Sequence, residues 1–535
     1  MHEKQKNSTN LMGTEVVNES MKVLVSLFSL LLMSQVVCAQ QDHNFAQNGH
    51  YNVSYSSTSP DYVYFLVAAK DGGFFYGTYD HDLEKAYIQK IRLSGEVDSS
   101  FASGLFEYHP GIPIVSLSFF DIKELNDGSY LVGGTMQGGG LAGSYALVLK
   151  LDAQGDLDHN YNVDGRVTYA YNFLPSQGRQ IILDADEKFW IAGTYGVNIS
   201  ISRLFVAKFN QDGTVDQSFG SNGAIARNVL NSTFFIPAHF TQIGANSFMI
   251  LGAATVGQFT QDVALKFSKS GIFDANFGTA GEKVFSGHPT FRYSRVTKHK
   301  NHLYLIGALP TNIPNQGKAA VARTDTNLIL DPSYATGGID SDFLNTTDLH
   351  GITSVDIDAA ENIFFSGAHF KSNGADFVIM KKDLATNSFD PSFGTNGILY
   401  VRNNNSTNDF CNWACLLKDE SLIVGGQYYP NTSTIPDLTF CRIYRQHSLG
   451  LEAVEELNGI SIYPNPNKGQ FFIRAEKEVQ NAELSITNYL GQTIVSKKIK
   501  RLKQELIDLN SSSPGVYLLN IKSAKTRKSF KIVLK

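Results

Sequence analysis

One eight-residue phrase recurs along this chain at nearly constant intervals. It is clearest at Asp216–Gly223 and returns at Asp274–Gly281 and Asp390–Gly397. Looser copies, each with an aromatic residue three positions after the aspartate, begin at Asp42, Asp98, Asp158 and Asp331. The seven aspartates lie 56, 60, 58, 58, 57 and 59 residues apart, so the chain contains seven units of similar length. A fixed period of this size is typical of repeat architectures and constrains the fold more than any single motif.

The fourth unit shows the strand pattern most clearly. Residues 224–230 read as a strand, 240–245 and 248–255 as a hairpin, and 262–268 as the last strand. In every unit the second hairpin strand ends in glycine, and the last strand carries a lysine or an arginine. We therefore expect four short antiparallel strands per unit and no helix.

A single four-stranded sheet cannot bury both of its faces, but seven sheets packed around an axis can. The sequence therefore predicts an all-β fold, namely a seven-bladed β-propeller of four-stranded antiparallel blades. An open β-solenoid is the alternative, although its repeats are usually shorter. We expect the ring to close by docking of the first blade on the seventh. The sequence does not show whether the two ends exchange a strand.

The units also resemble the delta-60 repeat family, which shares the period, the Asp-x-x-Phe-Gly-x-x-Gly phrase and the glycine that ends a hydrophobic strand. The copies at Asp216, Asp274 and Asp390 match best, and the resemblance extends from Asp42 to His447. It implies a propeller-like fold. It implies no activity, because the family has no common one.

The N-terminal region has the pattern of an export signal. Residues 1–20 are interpreted as an upstream extension, and residues 21–39 as a signal peptide with Lys22 before an apolar run and cleavage between Ala39 and Gln40. A transmembrane helix is disfavoured because the run is short. A lipoprotein site at Cys38 is disfavoured because bulky Val37 precedes it. The mature chain is then expected to have no transmembrane segment.

The chain changes character after the repeats at residues 40–447. An acidic linker, residues 448–458, leads to a C-terminal domain at residues 459–535, where we expect six further strands and an Ig-like β-sandwich. This domain contains 14 Lys and Arg against 5 Asp and Glu, a net charge of +9. The rest of the chain contains 31 against 45, a net charge of −14, which argues against nucleic-acid binding by the body.

The C-terminal domain resembles the sorting domain of the type IX secretion system of Bacteroidetes. The matching residues, in chain order, are Tyr463, Pro464, Asn465, Pro466, Gly469, Gly491, Gly515 and Tyr517, followed by the terminal segment 530–535. The resemblance implies export across both membranes, with the type IX machinery as partner and the outer surface or the medium as destination.

Residues that return in every unit are expected to stabilise the scaffold. The seven aspartates are expected to accept backbone hydrogen bonds in their turns. The basic residue that precedes the next aspartate by eight or nine positions is expected to form an exposed ion pair with it. A calcium role is disfavoured because the ligand spacing of a calcium loop is missing. Cys411, Cys415 and Cys441 are interpreted as packing residues, and no metal site or cofactor is predicted.

A ligand site is expected where the units differ. The variable stretches before each hairpin contain Arg179, His239, Arg292, Arg295 and His350, together with His109. Such a ring could hold an anionic ligand such as an acidic sugar, while the alternative is that these are solvated loop residues. No catalytic residue is assigned, because the chain has none of the usual nucleophile, metalloprotease, Walker or dinucleotide motifs.

The favoured interpretation is a secreted or surface-attached binding protein for a glycan or another macromolecule. A cell-surface carbohydrate-active hydrolase or lyase is the first alternative, and a structural surface component is the second. A buried cluster of charged residues at a mouth of the central channel would favour the enzyme, and an apolar plug would favour binding or structure.

Overall fold

The computed structural model describes residues 41–535 except 57, 112–113, 139–142, 199–200, 286–291, 311–316, 342–348, 372–373, 404–405, 431–432, 434, 445–454, 457–458, 489–492, 511 and 524–525. The predicted signal peptide, its cleavage position at Ala39 and Gln40, and Gly491 of the sorting motif lie outside the described residues. The described residues contain no α-helix, so the all-β prediction is confirmed. They divide into two compact units, residues 1–446 and 447–535.

The first unit contains seven four-stranded antiparallel sheets among its described residues. β1 (His50–Val53) precedes sheet 1, which consists of β2 (Phe65–Ala68), β3 (Phe74–Asp80), β4 (Lys85–Ile91) and β5 (Phe106–Tyr108). Sheet 2 consists of β6 (Ile114–Glu124), β7 (Tyr130–Gly138), β8 (Ser144–Leu151) and β9 (Arg166–Tyr169). Sheet 3 consists of β10 (Ser176–Leu183), β11 (Phe189–Asn198), β12 (Ile201–Phe209) and β13 (Ala224–Arg227).

The remaining sheets repeat this order. Sheet 4 consists of β14 (Phe234–Gly244), β15 (Ser247–Val256), β16 (Phe259–Ser268) and β17 (Glu282–Val284). Sheet 5 consists of β18 (Arg292–His299), β19 (His302–Pro310), β20 (Gly317–Thr324) and β21 (Ile339–Asp340). Sheet 6 consists of β22 (Leu349–Ile357), β23 (Asn362–Lys371), β24 (Gly374–Asp383) and β25 (Ile398–Val401). Sheet 7 consists of β26 (Ser406–Leu416), β27 (Leu422–Pro430), β28 (Asp437–Ile443) and β1. Three 3-10 turns are found among the described residues, and they lie between strands: Ala102–Gly104, Tyr171–Phe173 and Val229–Asn231.

The sheets pack face to face in a closed ring, an arrangement like that of a β-propeller. The first strand of each sheet contacts the first strand of the next, and β26 contacts β2 in turn. The apolar cores therefore lie between neighbouring sheets. Trp190 and Leu204 of sheet 3 pack with Phe235 and Phe248 of sheet 4, and the same kind of cluster joins sheet 7 to sheet 1.

The four strands predicted for each unit do not all belong to one sheet. The strand that follows each aspartate turn pairs with the strand before the turn, as β13 pairs with β12. It therefore becomes the fourth strand of the preceding sheet, because strands joined by a compact turn are natural antiparallel partners. The two ends of the repeats also exchange a strand, a point that the sequence leaves open. Sheet 7 obtains its fourth strand from β1, whose His50 lies opposite Cys441.

The repeated glycines sit opposite a bulge in the first strands. In sheets 2 to 7 the register between the first and second strands shifts immediately after the residue that pairs with this glycine. A β-carbon at Gly367 would lie 1.8 Å from the carbonyl oxygen of Gly351, and one at Gly193 would lie 2.0 Å from that of Gln177. Only glycine allows this close approach of two backbones.

The seven repeated aspartates all hold their own turns. In each turn the backbone N–H two residues later donates to the aspartate Oδ1. Each carboxylate also pairs, at 2.6–4.0 Å, with the basic residue of the third strand of its sheet. Asp42 pairs with Arg442, 400 positions away, so the N-terminal turn completes sheet 7 just as the other turns complete theirs.

The prediction that these ion pairs are exposed is wrong. Lys90, Lys208, Lys381 and Arg442 are buried, and each of the seven basic groups lies 4.8–5.8 Å from the centroid of an aromatic ring. The aliphatic stems pack on the rings while the charged ends reach the aspartates, which is a common way to bury a long basic side chain.

The second unit is built on one sheet that contains two long strands. Its strands are β29 (Glu455–Glu456), β30 (Ile460–Tyr463), β31 (Gln470–Thr487), β32 (Thr493–Asp508), β33 (Gly515–Ser523) and β34 (Thr526–Leu534). β31 and β32 each replace two predicted strands. A register shift between Arg474 and Val479 lets β31 bend without ending, which the turn signals of the sequence do not reveal.

The predicted sorting motif ties the first part of this unit to its last strand. The side chain of Asn465 accepts a hydrogen bond from the backbone N–H of Val533 at 2.8 Å, and the N–H of Asn467 donates to the Val533 carbonyl at 2.9 Å. The side chain of Asn467 also accepts from the N–H of Gly469. The Tyr517 hydroxyl donates to the carbonyl of Ser513 at 2.6 Å. These residues therefore hold the fold of the unit together.

Candidate functional site

The first strands form the inner wall of the ring, since each contacts the first strand of the next sheet. The position that follows the bulge is equivalent in sheets 2 to 7, because it always pairs with the residue before the repeated glycine. In chain order this position holds Asp121, Gln180, His239, Arg295, Ser354 and Trp413. A scaffold position would keep one residue type, so this variation marks the inner wall as the place where function can be carried.

Charged side chains of several first strands interact in what we call the inner cluster: Asp121, Lys123, His239, Arg295 and Asp356. Lys123 Nζ lies 2.8 Å from an oxygen of Asp121. The guanidinium carbon of Arg295 lies 4.0 Å from the ring centroid of Trp413, two sheets away. Asp121 is buried, and the other four side chains of the inner cluster are half-buried. The inner cluster therefore holds charged side chains in a largely desolvated environment.

Burial shifts the protonation of the inner cluster. It lowers the pKa of His239 to about 3, assisted by the positive charges of Arg295 and Lys123. It raises the pKa of Asp356 to about 6, against the opposing effect of Ser354 and Arg295. It also raises the pKa of Asp121, which Lys123 opposes. At neutral pH the inner cluster thus holds a neutral imidazole and a carboxyl group that titrates close to neutrality, which is the range useful for proton transfer.

A separate groove opens near the start of the first strands of sheets 3 and 4. We call it the Arg179 groove; it has a volume of about 400 Å³ and is lined by residues of sheets 2, 3 and 4. Its lining includes Gln177 and Arg179 of β10, Tyr195 of β11 and Phe234 of β14. The ring of Tyr195 packs against Tyr171 at 4.5 Å between centroids. The volume lies in the range of small-molecule sites and suits one or two sugar rings.

Arg179 occupies the bulge of β10 and is exposed within this groove. Partial desolvation lowers its pKa, but a guanidinium remains charged at neutral pH because its ordinary pKa lies far above 7. Within the described part of the chain, Arg179 has no ion pair and no hydrogen bond from its side chain. It is also the only formally charged residue among the described residues that line the groove.

The structure separates the predicted ligand residues. It brings His239 and Arg295 together in the inner cluster, and it places Arg179 in the groove. Arg292 and His350 belong to β18 and β22, but their side chains lie outside the described part of the chain. His109 follows β5 in a different depression, where its Nδ1 accepts a hydrogen bond from the N–H of Gly111.

Sequence reasoning missed Asp121, Lys123, Asp356 and Trp413. The signal that could have found them is their spacing from the repeated glycine, because the bulge sets which residues face the enclosed space. Finding them required the strand register, which the sequence alone does not provide. Among the described residues, no group of three or more His, Cys, Asp or Glu side chains could hold a metal ion. The three described cysteines, Cys411, Cys415 and Cys441, form no disulfide.

Three of the solved structures that resemble this chain are distant likenesses. A protein of unknown function from Dyadobacter fermentans is 10% identical with a TM-score of 0.36, covering 74% of this chain and 99% of its own. An ulvan lyase, a polysaccharide lyase, is 11% identical with a TM-score of 0.42, covering 75% and 95%. An endo-arabinase from Bacteroides thetaiotaomicron is 9% identical with a TM-score of 0.29, covering 74% and 98%. Likenesses this weak carry no conclusion about activity.

The C-terminal residues give the specific match. Residues 461–535 match the secretion system C-terminal sorting domain, so the type IX sorting prediction is confirmed for this segment. No curated protein matches the chain. Among the described residues, no helix has the length and apolar character needed to cross a membrane. The chain therefore carries a type IX sorting domain at its C-terminal end, which directs it to the cell surface or into the medium.

Proposed function

We propose that this chain is a secreted or cell-surface protein of a Bacteroidetes bacterium, with delta-60 repeats, that binds a glycan or another macromolecule. Its first unit is then a seven-bladed β-propeller, and its second unit is an Ig-like sandwich that serves export. A signal peptide at residues 21–39 provides the first export step. Support for the first unit comes from the seven sheets and the closed ring of first strands.

The observation that carries the binding proposal is the Arg179 groove. It combines an unpaired guanidinium with amide, hydroxyl and aromatic side chains in an open concave surface. Sugars are recognised by this mixture, since their hydroxyl groups need hydrogen-bonding partners and their apolar ring faces pack against aromatic rings. The aspartate turns do not provide a comparable site, because their carboxylates already pair with lysine side chains, as Asp216 does with Lys208 and Asp390 with Lys381.

A glycan-array screen of the purified full chain, with product analysis of every hit, tests this proposal. We expect binding to at least one glycan class with no change in the length of the bound glycan. Substitution of Arg179 is expected to weaken that binding while leaving the unfolding temperature unchanged. Absence of binding to every glycan on the array would contradict glycan binding and would leave a protein partner or a structural role at the surface.

A hydrolase or lyase is the second candidate, and the inner cluster favours it. The cluster holds two carboxyl groups with raised pKa values, a neutral imidazole and two basic side chains in a largely desolvated environment. General acid–base cleavage of a sugar chain needs groups of this kind close to the scissile bond. Release of shortened products by the wild-type chain, but not by an Asp356→Asn variant of equal stability, would establish the enzyme and contradict the binding-only proposal.

The export proposal has its own test. Terminal sequencing of the protein recovered from the native host should find a start at Gln40 if the signal peptide is cut after Ala39. Removal of residues 459–535 is expected to abolish appearance at the surface and in the medium, while synthesis continues. A chain that reaches the surface without these residues would contradict the role of the sorting domain.

A further inference from the structure

We infer that the Arg179 groove selects anionic sugar chains, in which a carboxylate or a sulfate group is held by the Arg179 guanidinium. This inference rests on the proposed binding function and specifies its ligand class. It comes from a comparison of the charged groups that face the inner wall of the ring with those that face the groove.

The charged groups of the inner cluster are mutually compensated. Asp121 pairs with Lys123, and the charge of Asp356 acts on Arg295. His239 is neutral at physiological pH, because burial and the two nearby positive charges disfavour its protonation. With two acidic groups against two basic groups and a neutral histidine, the inner cluster carries no uncompensated positive charge that would attract an anion. His239 and Arg295 therefore do not serve as the anion site.

Arg179 differs from these residues in having no compensating group. Its side chain has no ion pair and no hydrogen bond within the described part of the chain, and no acidic residue is found among the described lining of the groove. A guanidinium presents a planar fork of donors that matches the two oxygens of a carboxylate or sulfate. Partial desolvation in the groove strengthens this interaction relative to one in open water.

The rest of the lining suits the sugar that carries the anion. Gln177 and Thr194 offer amide and hydroxyl groups on the same two strands as Arg179 and Tyr195. Phe234 and Tyr195, whose ring packs on that of Tyr171, add aromatic rings to the lining of the groove. An anionic polysaccharide or oligosaccharide fits these features better than a free small anion does.

Matched glycan probes test the inference on the full chain. One pair is an immobilised galacturonan and its methyl ester, in which each carboxylate is converted to a neutral ester; a second pair is a sulfated galactan and its desulfated form. We expect the wild-type chain to bind at least one anionic form about tenfold or more tightly than its neutral counterpart. Comparison of the two pairs distinguishes a carboxylate ligand from a sulfate ligand.

Two substitutions separate the groove from general charge. Arg179→Gln is expected to lower the affinity for the anionic form about tenfold and to remove the preference over the neutral form. Arg203→Gln removes an exposed arginine of the same sheet outside the groove and should leave both affinities unchanged. Unfolding temperatures of the two variants, measured in parallel, should equal that of the wild type and exclude a folding effect.

The outcomes are distinct. Equal binding of charged and neutral forms, or an unchanged preference in Arg179→Gln, would overturn the inference while the glycan-binding function stands. Binding to none of the four probes overturns the inference, and absence of binding on the wider glycan array overturns the glycan-binding function as well. Loss of affinity in Arg203→Gln equal to that in Arg179→Gln would show only long-range attraction and would also overturn it.

Discussion

Two sets of equivalent positions in the first unit behave in opposite ways. The aspartate turns carry the same residue in all seven units, and each carboxylate makes the same backbone hydrogen bond and the same ion pair. The bulge positions of the first strands, one of which is Arg179, carry six different residues in sheets 2 to 7, and so do the positions that follow them. Both sets belong to the same repeating units. The difference between them therefore reflects what each position does in the protein.

This difference separates the positions that stabilise the sheets from the positions that can carry function. A residue that every sheet needs for its own fold is retained in every unit, because its loss would destabilise that sheet. A position that faces the enclosed space is free to vary, because no sheet needs a particular residue there. The variable positions can therefore acquire a ligand or a reaction without cost to the ring.

The largest expected effect comes from removal of β1, which tests the closure of the ring. A chain that lacks residues 41–53 loses the fourth strand of sheet 7 and the pair between Asp42 and Arg442. We expect its unfolding temperature to fall further than that of any single substitution, since a sheet edge and an apolar core become exposed. Thermal unfolding measures this. A peptide of residues 41–53, added in trans, should recover part of the loss, and a scrambled peptide should not.

The next largest effect is the loss of stability when one repeated aspartate is substituted. Asp216→Asn leaves the buried Lys208 ammonium and the half-buried Lys188 ammonium without their carboxylate, 3.1 and 2.9 Å away. We expect a loss of about 3 kcal/mol in the free energy of unfolding, because an unpaired buried charge is costly. Asp212→Asn, in the exposed turn of the same hairpin, should cost about 1 kcal/mol or less. Equal losses in the free energy of unfolding for the two variants, measured by denaturant unfolding, would contradict a stabilising role for the ion pairs of Asp216.

A glycine pair tests the bulge. A β-carbon at Gly367 would lie 1.8 Å from a backbone oxygen, whereas one at Gly351, in the adjoining strand, would meet only the ring of Phe370 at 3.4 Å. We expect Gly367→Ala to lower the free energy of unfolding by about 2–3 kcal/mol and Gly351→Ala to lower it by about 1 kcal/mol or less. A Gly351→Ala variant that is as unstable as Gly367→Ala would show that the bulge does not set the glycine requirement.

The smallest of these effects is the pH dependence of the stability that the repeated aspartates contribute. Partial burial works against the charge of Asp216, but hydrogen bonds from Ser218, Lys188 and Lys208 outweigh it and hold its pKa well below its usual range. Its stabilisation is therefore complete above the unfolded-state pKa of about 3.9 and is lost as the pH falls through the lower folded-state pKa. We expect the stability difference between wild type and Asp216→Asn to shrink as the pH is lowered below about 4. A difference that stays constant from pH 7 to pH 2 would contradict this assignment.

The sequence predicted the repeated features well and the non-repeated ones poorly. The period, the all-β fold, the aspartate turns and the sorting motif depend on local spacing, which one sequence displays directly. The exchange of β1 and the assembly of the inner cluster depend on which strands pair and in what register. Those choices are decided by packing between segments far apart in the chain, such as Arg442 with Asp42, and no local pattern encodes them.

The candidate site also depends on strand register, which the sequence does not show. The sequence places Arg179, His239 and Arg295 in one group, because each lies in the variable stretch before a hairpin. A one-residue bulge gives Arg179 a different surrounding from the other two, since it occupies the bulge while His239 and Arg295 follow it. Charge compensation then distinguishes the groove from the inner cluster, and it depends on Asp121, Lys123 and Asp356, which the sequence did not single out.

The central claim is that repeated positions carry stability and varied positions carry recognition. Paired measurement of the unfolding temperature and of glycan affinity in Arg179→Gln and Asp216→Asn tests it most directly. We expect Arg179→Gln to retain the wild-type unfolding temperature and lose affinity about tenfold, and Asp216→Asn to lose stability while it retains affinity at temperatures where it is folded. Retained affinity in Arg179→Gln together with lost affinity in folded Asp216→Asn would contradict the claim.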